Sequence, residues 1–390
     1  MNIPKSVVDI MELVNNQNEE IYLIGGAVRD ILINKTPKDY DLCTSLDLYK
    51  LKELIPSFHL MKQNERRNTG ITKINEDTIE ISMMKGTCLL EDITKRDFTI
   101  NGIAMNRQGI IIDPYNYQQD IKEKKIALID KNGNSIIENP LIILRAIRLA
   151  AQLNFKIDKN TKEQIKKNKV LTTRIIGQRM YIELAKLLLT TNFADYFEEY
   201  FDVFTMCIPE LLNIDKVKLS RLFNTLKITP NNLVLKLAVL FSLNVTQDFI
   251  QFSNRMILDK KTTRLVKLLL SYRDKNIRTT QKDINKIIAE FNIHNVDLLF
   301  LYKKIIEYDD KESIYQLEEM HKKYQGTIQD ITKTRLSNLE FNLEKIQSMG
   351  FDNIESNLIL TDIKGRIVSN SLQNKQSSIE AYILKNYKKS

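Results

Sequence analysis

The strongest constraint in this 390-residue chain is a change of hydrophobic period. Up to about residue 125, short β-branched or aromatic runs (IYLIG, DYDLC, ITKIN, TIEISM and IIIDP) are interspersed with helical stretches. Beyond that point, patterns such as LIILRAIRLAAQL and MYIELAKLLL repeat apolar residues at intervals of three and four. This predicts an α+β head followed by an all-α remainder. The length exceeds what one hydrophobic core usually serves, so several domains are expected. Turn-rich DKNGN at 130–134, TTN at 190–192 and Gly326 set the breaks. They give a head over 1–126, a neck over 127–190, a body over 191–325 and a tail over 326–390.

The head carries the chemistry. In the stretch IYLIGGAVRDILINKTPKDYDLCTS, residues 21–45, a strand through DYDLC puts Asp39 and Asp41 on one face and Tyr40 and Leu42 on the other. Two neighbouring carboxylates repel unless a cation lies between them. Magnesium suits them, because it takes oxygen ligands and keeps water and phosphate oxygens in its shell. Glu80, between Ile79 and Ile81, is the candidate third carboxylate. Gly25 and Gly26 close a strand where a phosphate can approach the backbone, and the helix AVRDILI that follows favours an anion at its start. Arg29 would then grip a triphosphate, with Asp30 holding Arg29 or a neighbouring helix end. In TKRDFTINGIAMN, residues 94–106, Arg96 offers a cation for phosphates and Asn101 an amide for a ribose hydroxyl. In IIENPLIILRAIRLAAQLNF, Arg145 and Arg148 lie three apart on one face of an apolar helix. They need a partner, either a base edge or a carboxylate from the head.

Lys and Arg total 58 against 49 acids, a net charge of +9 that suits a polyanionic partner. The excess is concentrated: residues 255–286 hold ten basic side chains against three acidic, and 159–179 hold seven against one. Such helical stretches can track a phosphate backbone, with Tyr272 available for stacking, although for each stretch alone a solvated helix face is the favoured reading. The three cysteines, Cys43, Cys88 and Cys207, are too scattered for a disulfide framework or a zinc site. MNIPKSVVDIMELVNN reads as an amphipathic helix rather than a signal peptide, and the apolar run over 233–245 is short and broken by Lys236. A cytoplasmic protein with no membrane partner is expected.

Four motifs in this order, GGAVRD, DYD, KRDFTINGIAM and ENPLIILRAIR, resemble the class II tRNA nucleotidyltransferase and bacterial poly(A) polymerase family, within the polymerase-β-like nucleotidyltransferases. The resemblance covers about the first 190 residues. It implies that Asp39 and Asp41 are the catalytic pair holding two magnesium ions, and that Gly25, Gly26 and Arg29 receive the triphosphate. Arg96, Asp97 and Asn101 match the motif that contacts phosphate and ribose. Arg145 and Arg148 match two nucleotide-contacting arginines. The family selects its base with a template written Glu-Asp-x-x-Arg, and here those positions read Glu138, Asn139, Pro140, Leu141, Ile142. Asn139 keeps an amide that can meet a base edge, whereas Ile142 cannot donate a hydrogen bond.

The implied activity is template-independent addition of CCA to tRNA 3′ ends from CTP and ATP, with the basic helices gripping the acceptor arm. No protein partner is implied. Members that complete CCA carry a longer flexible loop, with basic residues and a proline, than the segment ISMMKGTCLLEDITK allows here. A short loop is a feature of relatives that add only CC, and the altered template leaves poly(A) addition as another alternative. A non-catalytic RNA-binding protein is the distant one. Of the three histidines, His59, His294 and His321, none precedes an Asp, which argues against the phosphohydrolase domain fused to some relatives.

Overall fold

The computed structural model describes residues 3–61, 69–75, 77–212, 214–336, 339, 341–368 and 371–387. The chain forms two compact units, Met1–Pro209 and Glu210–Ser390.

Unit 1 begins with α1 (Lys5–Asn15), whose Val7, Ile10, Met11 and Val14 are buried at helical spacing, as the amphipathic pattern predicts. It continues with β1 (Ile21–Ile24), α2 (Gly26–Leu32), β2 (Asp39–Thr44), α3 (Leu48–Leu54), β3 (His59–Leu60), β4 (Thr69–Ile74) and β5 (Asp77–Met83). Then follow α4 (Leu89–Thr94), β6 (Ala104–Met105), β7 (Ile111–Ile112), α5 (Gln118–Lys122) and β8 (Lys125–Ile126). Among the described residues, seven strands form one mixed sheet in the order β3-β4-β5-β2-β1-β6-β7. The pairing of β2 with β5 is parallel, while β1 runs antiparallel to both β2 and β6. Tyr40 and Leu42 are buried from one face of β2. On the opposite face, Cys43 joins Ile24, Met84, Leu89, Ile93 and Ala104 in a small apolar cluster under α4.

The helical part of unit 1 comprises α6 (Asn134–Glu138), α7 (Leu141–Leu153), β9 (Lys156–Ile157, paired with β8), α8 (Lys159–Asn168), α9 (Gly177–Leu188), α10 (Phe193–Glu199) and α11 (Phe201–Cys207). Pro140 opens α7, where its missing N–H costs nothing, and Asn154 closes it in the left-handed conformation at φ 56°. Between them Leu141, Ile142, Ile143, Leu144, Ile147 and Leu149 are all buried. The expected head and neck therefore lie within one compact unit, which is coarser than the four-part division expected from sequence.

Unit 2 is helical: α12 (Lys216–Ile228), α13 (Leu233–Leu240), α14 (Thr246–Arg255), α15 (Lys260–Ser271), α16 (Gln281–Phe291), α17 (Val296–Ile306), α18 (Lys311–Leu336), α19 (Leu343–Ser348), α20 (Asn353–Val368) and α21 (Gln376–Asn386). Among the described residues no helix is long and apolar enough to cross a membrane. Lys236, the charge that interrupts the apolar run over 233–245, is buried and donates from Nζ to the Leu226 carbonyl at 3.2 Å. Burial pushes its pKa down to about 8.

Candidate active site

The strand register supplies the first layer of the site. Asp41 stands opposite Ile24 on β1 and opposite Glu80 on β5, so three carboxylates, Asp39, Asp41 and Glu80, share one region of the sheet. Burial beside the apolar cluster pushes the Asp41 carboxyl up to about 6, with Glu80 and Asp39 adding to the shift and Arg96 and Arg29 opposing it. A half-buried carboxylate with acidic neighbours is short of positive charge. The all-oxygen donor set suits a hard divalent cation. Among the described residues no three acidic, His or Cys side chains converge to metal-ligating distance. The charge of Glu80 adds to the upward shift at Asp41, and Asp39 and Asp41 form a pair that fits a metal with outer ligands from a substrate.

The glycine turn is the second layer. Gly25 has φ +78°, a backbone conformation that side-chain-bearing residues rarely adopt, and a Cβ there would stand 3.5 Å from both Arg96 Nη1 and Asp41 Oδ2. The turn, the carboxylate and the guanidinium thus meet at one place. Arg29, one turn into α2, is 6 % exposed. Its Nε and Nη2 donate to Asp30 Oδ1 at 2.9 and 2.7 Å, and its Nη1 donates to Asn101 Oδ1 at 2.9 Å.

From Asn101 a chain of polar contacts runs into the neck helices. Asn101 Nδ2 and the Phe98 N–H donate to Asp97 Oδ1 at 3.0 and 2.9 Å, and Arg145 Nη1 donates to Asp97 Oδ2 at 2.8 Å. Burial alone would raise the Asp97 pKa, but the Arg145 charge and these hydrogen bonds outweigh it and hold the carboxyl below its ordinary value. Glu183 on α9 takes up the far side. Its Oε2 accepts from Arg148 Nε at 2.5 Å, and its Oε1 lies 3.5 Å from Arg145 Nε. Arg148 Nη1 also donates to Gln152 Oε1 at 2.8 Å.

The structure brings Gly25, Gly26, Arg29, Asp39, Asp41 and Arg96 together and ties Asp97, Asn101, Arg145 and Arg148 into one network. Both amide atoms of Asn101 are engaged within the protein, as is the Asp97 carboxylate, so these two set the positions of Arg29 and Arg145. Glu138 is exposed and Asn139 half-buried at the end of α6. Ile142 is only 5 % exposed within α7 and takes no part in the polar network. In unit 2, Tyr272 is not available for stacking, the lesser of the two readings its stretch offered. It is buried, its hydroxyl donates to Glu290 Oε2 at 2.6 Å, and its ring is covered by Lys275 Nζ at 4.7 Å. Arg255, one of the ten basic side chains of that stretch, pairs with Glu210 at 2.7 Å. Two buried acids, Asp92 and Glu183, were missed; each lies on the apolar face of its helix, the signal by which they were detectable.

Residues 21–127 match the family profile for the poly A polymerase head domain, and residues 154–211 that for the probable RNA and SrmB-binding site of polymerase A. Over these stretches the chain is similar to the class II family of CCA-adding enzymes and poly(A) polymerases. Among curated proteins it is similar to the CC-adding tRNA nucleotidyltransferase of Halalkalibacterium halodurans, 32% identical over 191 residues, which are 49% of this chain and 50% of the relative. The CCA-adding enzyme of Geobacillus sp. is 30% identical over 200 residues, 47% of this chain and 49% of the relative. The chain thus spans about half the length of the curated relatives it matches. Among solved structures, the CCA-adding enzyme of Bacillus stearothermophilus in complex with CTP has a TM-score of 0.68 at 19% identity, covering 99% of this chain and 98% of that one. This likeness shows that the CCA-adding fold extends through both units.

Proposed function

We propose that this chain is a template-independent tRNA nucleotidyltransferase that builds CCA on tRNA 3′ ends from CTP and ATP. The observation that carries the reading is the meeting of the Asp41 carboxylate, the Gly25 turn and the Arg96 guanidinium. In the reaction the tRNA 3′-hydroxyl gives up its proton to solvent, its oxygen bonds to the α-phosphorus of the nucleotide, the α-phosphorus bond to the bridging oxygen of the β-phosphate breaks, and pyrophosphate leaves. The Gly25–Gly26 turn admits the triphosphate, and Arg29 and Arg96 offset its charge. Asp39 and Asp41 would hold the magnesium ions, which when bound activate the hydroxyl and offset charge on the leaving group. Asp97 and Glu183 orient Arg145 and Arg148 for the nucleotide.

Unit 2 supports an RNA partner on its own. Lys260, Arg264, Lys267 and Ser271 recur at intervals of four, three and four along α15, and with Ser253, Asn254, Thr263, Leu258, Leu268 and Glu290 they line an open groove of about 700 Å³. A stripe of cations with polar neighbours suits backbone phosphates rather than base edges. The test is to incubate the protein with tRNA lacking its 3′ CCA and each nucleotide in turn. No incorporation of any nucleotide would refute the reading.

A second reading, addition of CC alone, is favoured by the turn over 84–88. The Lys85 N–H donates to Asp92 Oδ1 at 2.9 Å and the Thr87 N–H to Glu91 Oε2 at 3.0 Å, so the segment is a tight, anchored turn. Product length separates the readings: two added residues for CC, three for CCA, and an A ladder for poly(A) addition.

A further inference from the structure

Helix α4 carries a carboxylate that the proposed reaction does not use. Asp92 is 1 % exposed. Its Oδ2 accepts from Arg96 Nε and Nη2, both at 2.8 Å, and its Oδ1 accepts the Lys85 backbone N–H at 2.9 Å. One buried carboxylate therefore joins the turn after β5 to the guanidinium beside Asp41. Gly86, at φ +119°, lets the turn close down on Glu91, whose side chain occupies the place a Cβ would need. With Nε and Nη2 both committed to Asp92, the guanidinium plane is fixed. Its remaining nitrogen, Nη1, is the atom 3.5 Å from where a Gly25 Cβ would stand.

We infer that Asp92 is a positioning residue that aims Arg96 into the triphosphate slot and makes that aim depend on how the turn over 84–88 is seated. This rests on the nucleotidyl-transfer reading of the site. Asp92 acts only through Arg96, so its contribution disappears when the guanidinium is removed. A charged pair that shares one oxygen, with the second oxygen held by a backbone N–H, can transmit a shift of the turn directly to the cation.

The test uses the full chain, with inorganic tripolyphosphate binding measured by calorimetry in magnesium and CTP extension kinetics on tRNA lacking CCA. Asp92→Asn keeps the shape and removes the charge. It is expected to weaken tripolyphosphate binding about tenfold and to raise KM for CTP by a similar factor, with a smaller fall in kcat. Arg96→Ala should show a comparable loss, and Asp92→Asn should add nothing further in that background. Gly86→Ala unseats the turn without touching the carboxylate. It should weaken binding when Arg96 is present and leave it unchanged in Arg96→Ala. Wild-type binding by Asp92→Asn, or losses that multiply in the Asp92→Asn, Arg96→Ala double variant, would overturn the inference. A wild-type protein that binds tripolyphosphate through this pair yet extends no RNA would overturn the reaction reading while leaving the positioning role supported.

Discussion

Replacing Asp41 with asparagine should abolish nucleotide transfer and, in the absence of metal, make unit 1 more stable. The carboxyl titrates at about 6 in the fold against 3.8 when unperturbed. A raised carboxyl pKa means that the fold favours the neutral acid, so the group costs nothing at low pH and becomes destabilising as pH rises through the folded value. Integrating this linkage gives a cost of about 0.5 kcal/mol at pH 4, about 1.6 at pH 5 and about 3 above pH 7. In a unit of this size 1 kcal/mol moves the melting temperature by about 2–4 °C. Scanning calorimetry in EDTA at pH 7.5 should therefore find Asp41→Asn melting up to about 6–12 °C above wild type, with the gap falling to about half at pH 5. Taking the difference at each pH cancels every titration the two proteins share. Magnesium should raise the wild-type melting temperature and leave the variant nearly unmoved, because only the wild type gains a counter-charge there. A gap that stays constant between pH 5 and 7.5, or a variant less stable than wild type at pH 7.5, would refute the assignment of this carboxylate as the charge-starved centre of the site.

Asp97→Ala removes the partner that Arg145 and Asn101 share, so unit 1 should lose about 3–5 kcal/mol in urea unfolding. Since the Asp97 pKa is lowered in the fold, its stabilisation is full above the ordinary carboxylate range and fades as pH falls through the folded value; wild type and variant should converge in acid. The pair Asn139→Asp with Ile142→Arg, which would rewrite the template positions, places a cation where Ile142 is only 5 % exposed. It should lower the melting temperature without changing the ratio of CTP to ATP incorporated, and a stable variant with an altered ratio would refute this. Changing Lys260, Arg264 and Lys267 together to alanine should reduce the slope of log affinity for duplex RNA against log salt by up to about 2.7 while tripolyphosphate binding stays at wild-type strength.

The parts of the site readable in advance were those fixed by period. DYDLC admits only one assignment of faces once it is a strand, so Asp39 and Asp41 had to point together and Tyr40 inward. The parallel register that sets Glu80 opposite Asp41 depends on which strands meet, and no local pattern states that. The stacking option for Tyr272 rested on composition rather than periodicity. Leu265, Leu269 and Tyr272 continue one apolar stripe of α15, while Lys260, Arg264, Lys267 and Ser271 form the other, so the aromatic ring belongs to the core and the cations to the groove. Asp92 and Glu183 sit at core-facing positions beside Leu89 and Ile93 and beside Met180, Leu184 and Leu187. An acid on such a face must be paired, so the requirement is legible in sequence, but the identity of the partner waits for the fold.

The departures at Asn139 and Ile142 become intelligible when the charges around them are followed. Asp30, Asp97 and Glu183 face Arg29, Arg145 and Arg148 through a continuous set of contacts, three negative groups against three positive, with Asn101 bridging the first pair to the second. Removing any one member leaves a partly buried charge without its partner, which is costly. Neither Asn139 nor Ile142 belongs to that set. Ile142 instead contributes an apolar side chain to α7, where its packing supports the helix that carries both arginines. The template positions can therefore change without unbalancing the network, whereas Arg145 and Arg148 are held by its ion pairs with Asp97 and Glu183. The template positions and the ion-pair network are for this reason separable in this chain: a substitution at 139 leaves the network intact, whereas one at 97 or 183 leaves an arginine without its partner.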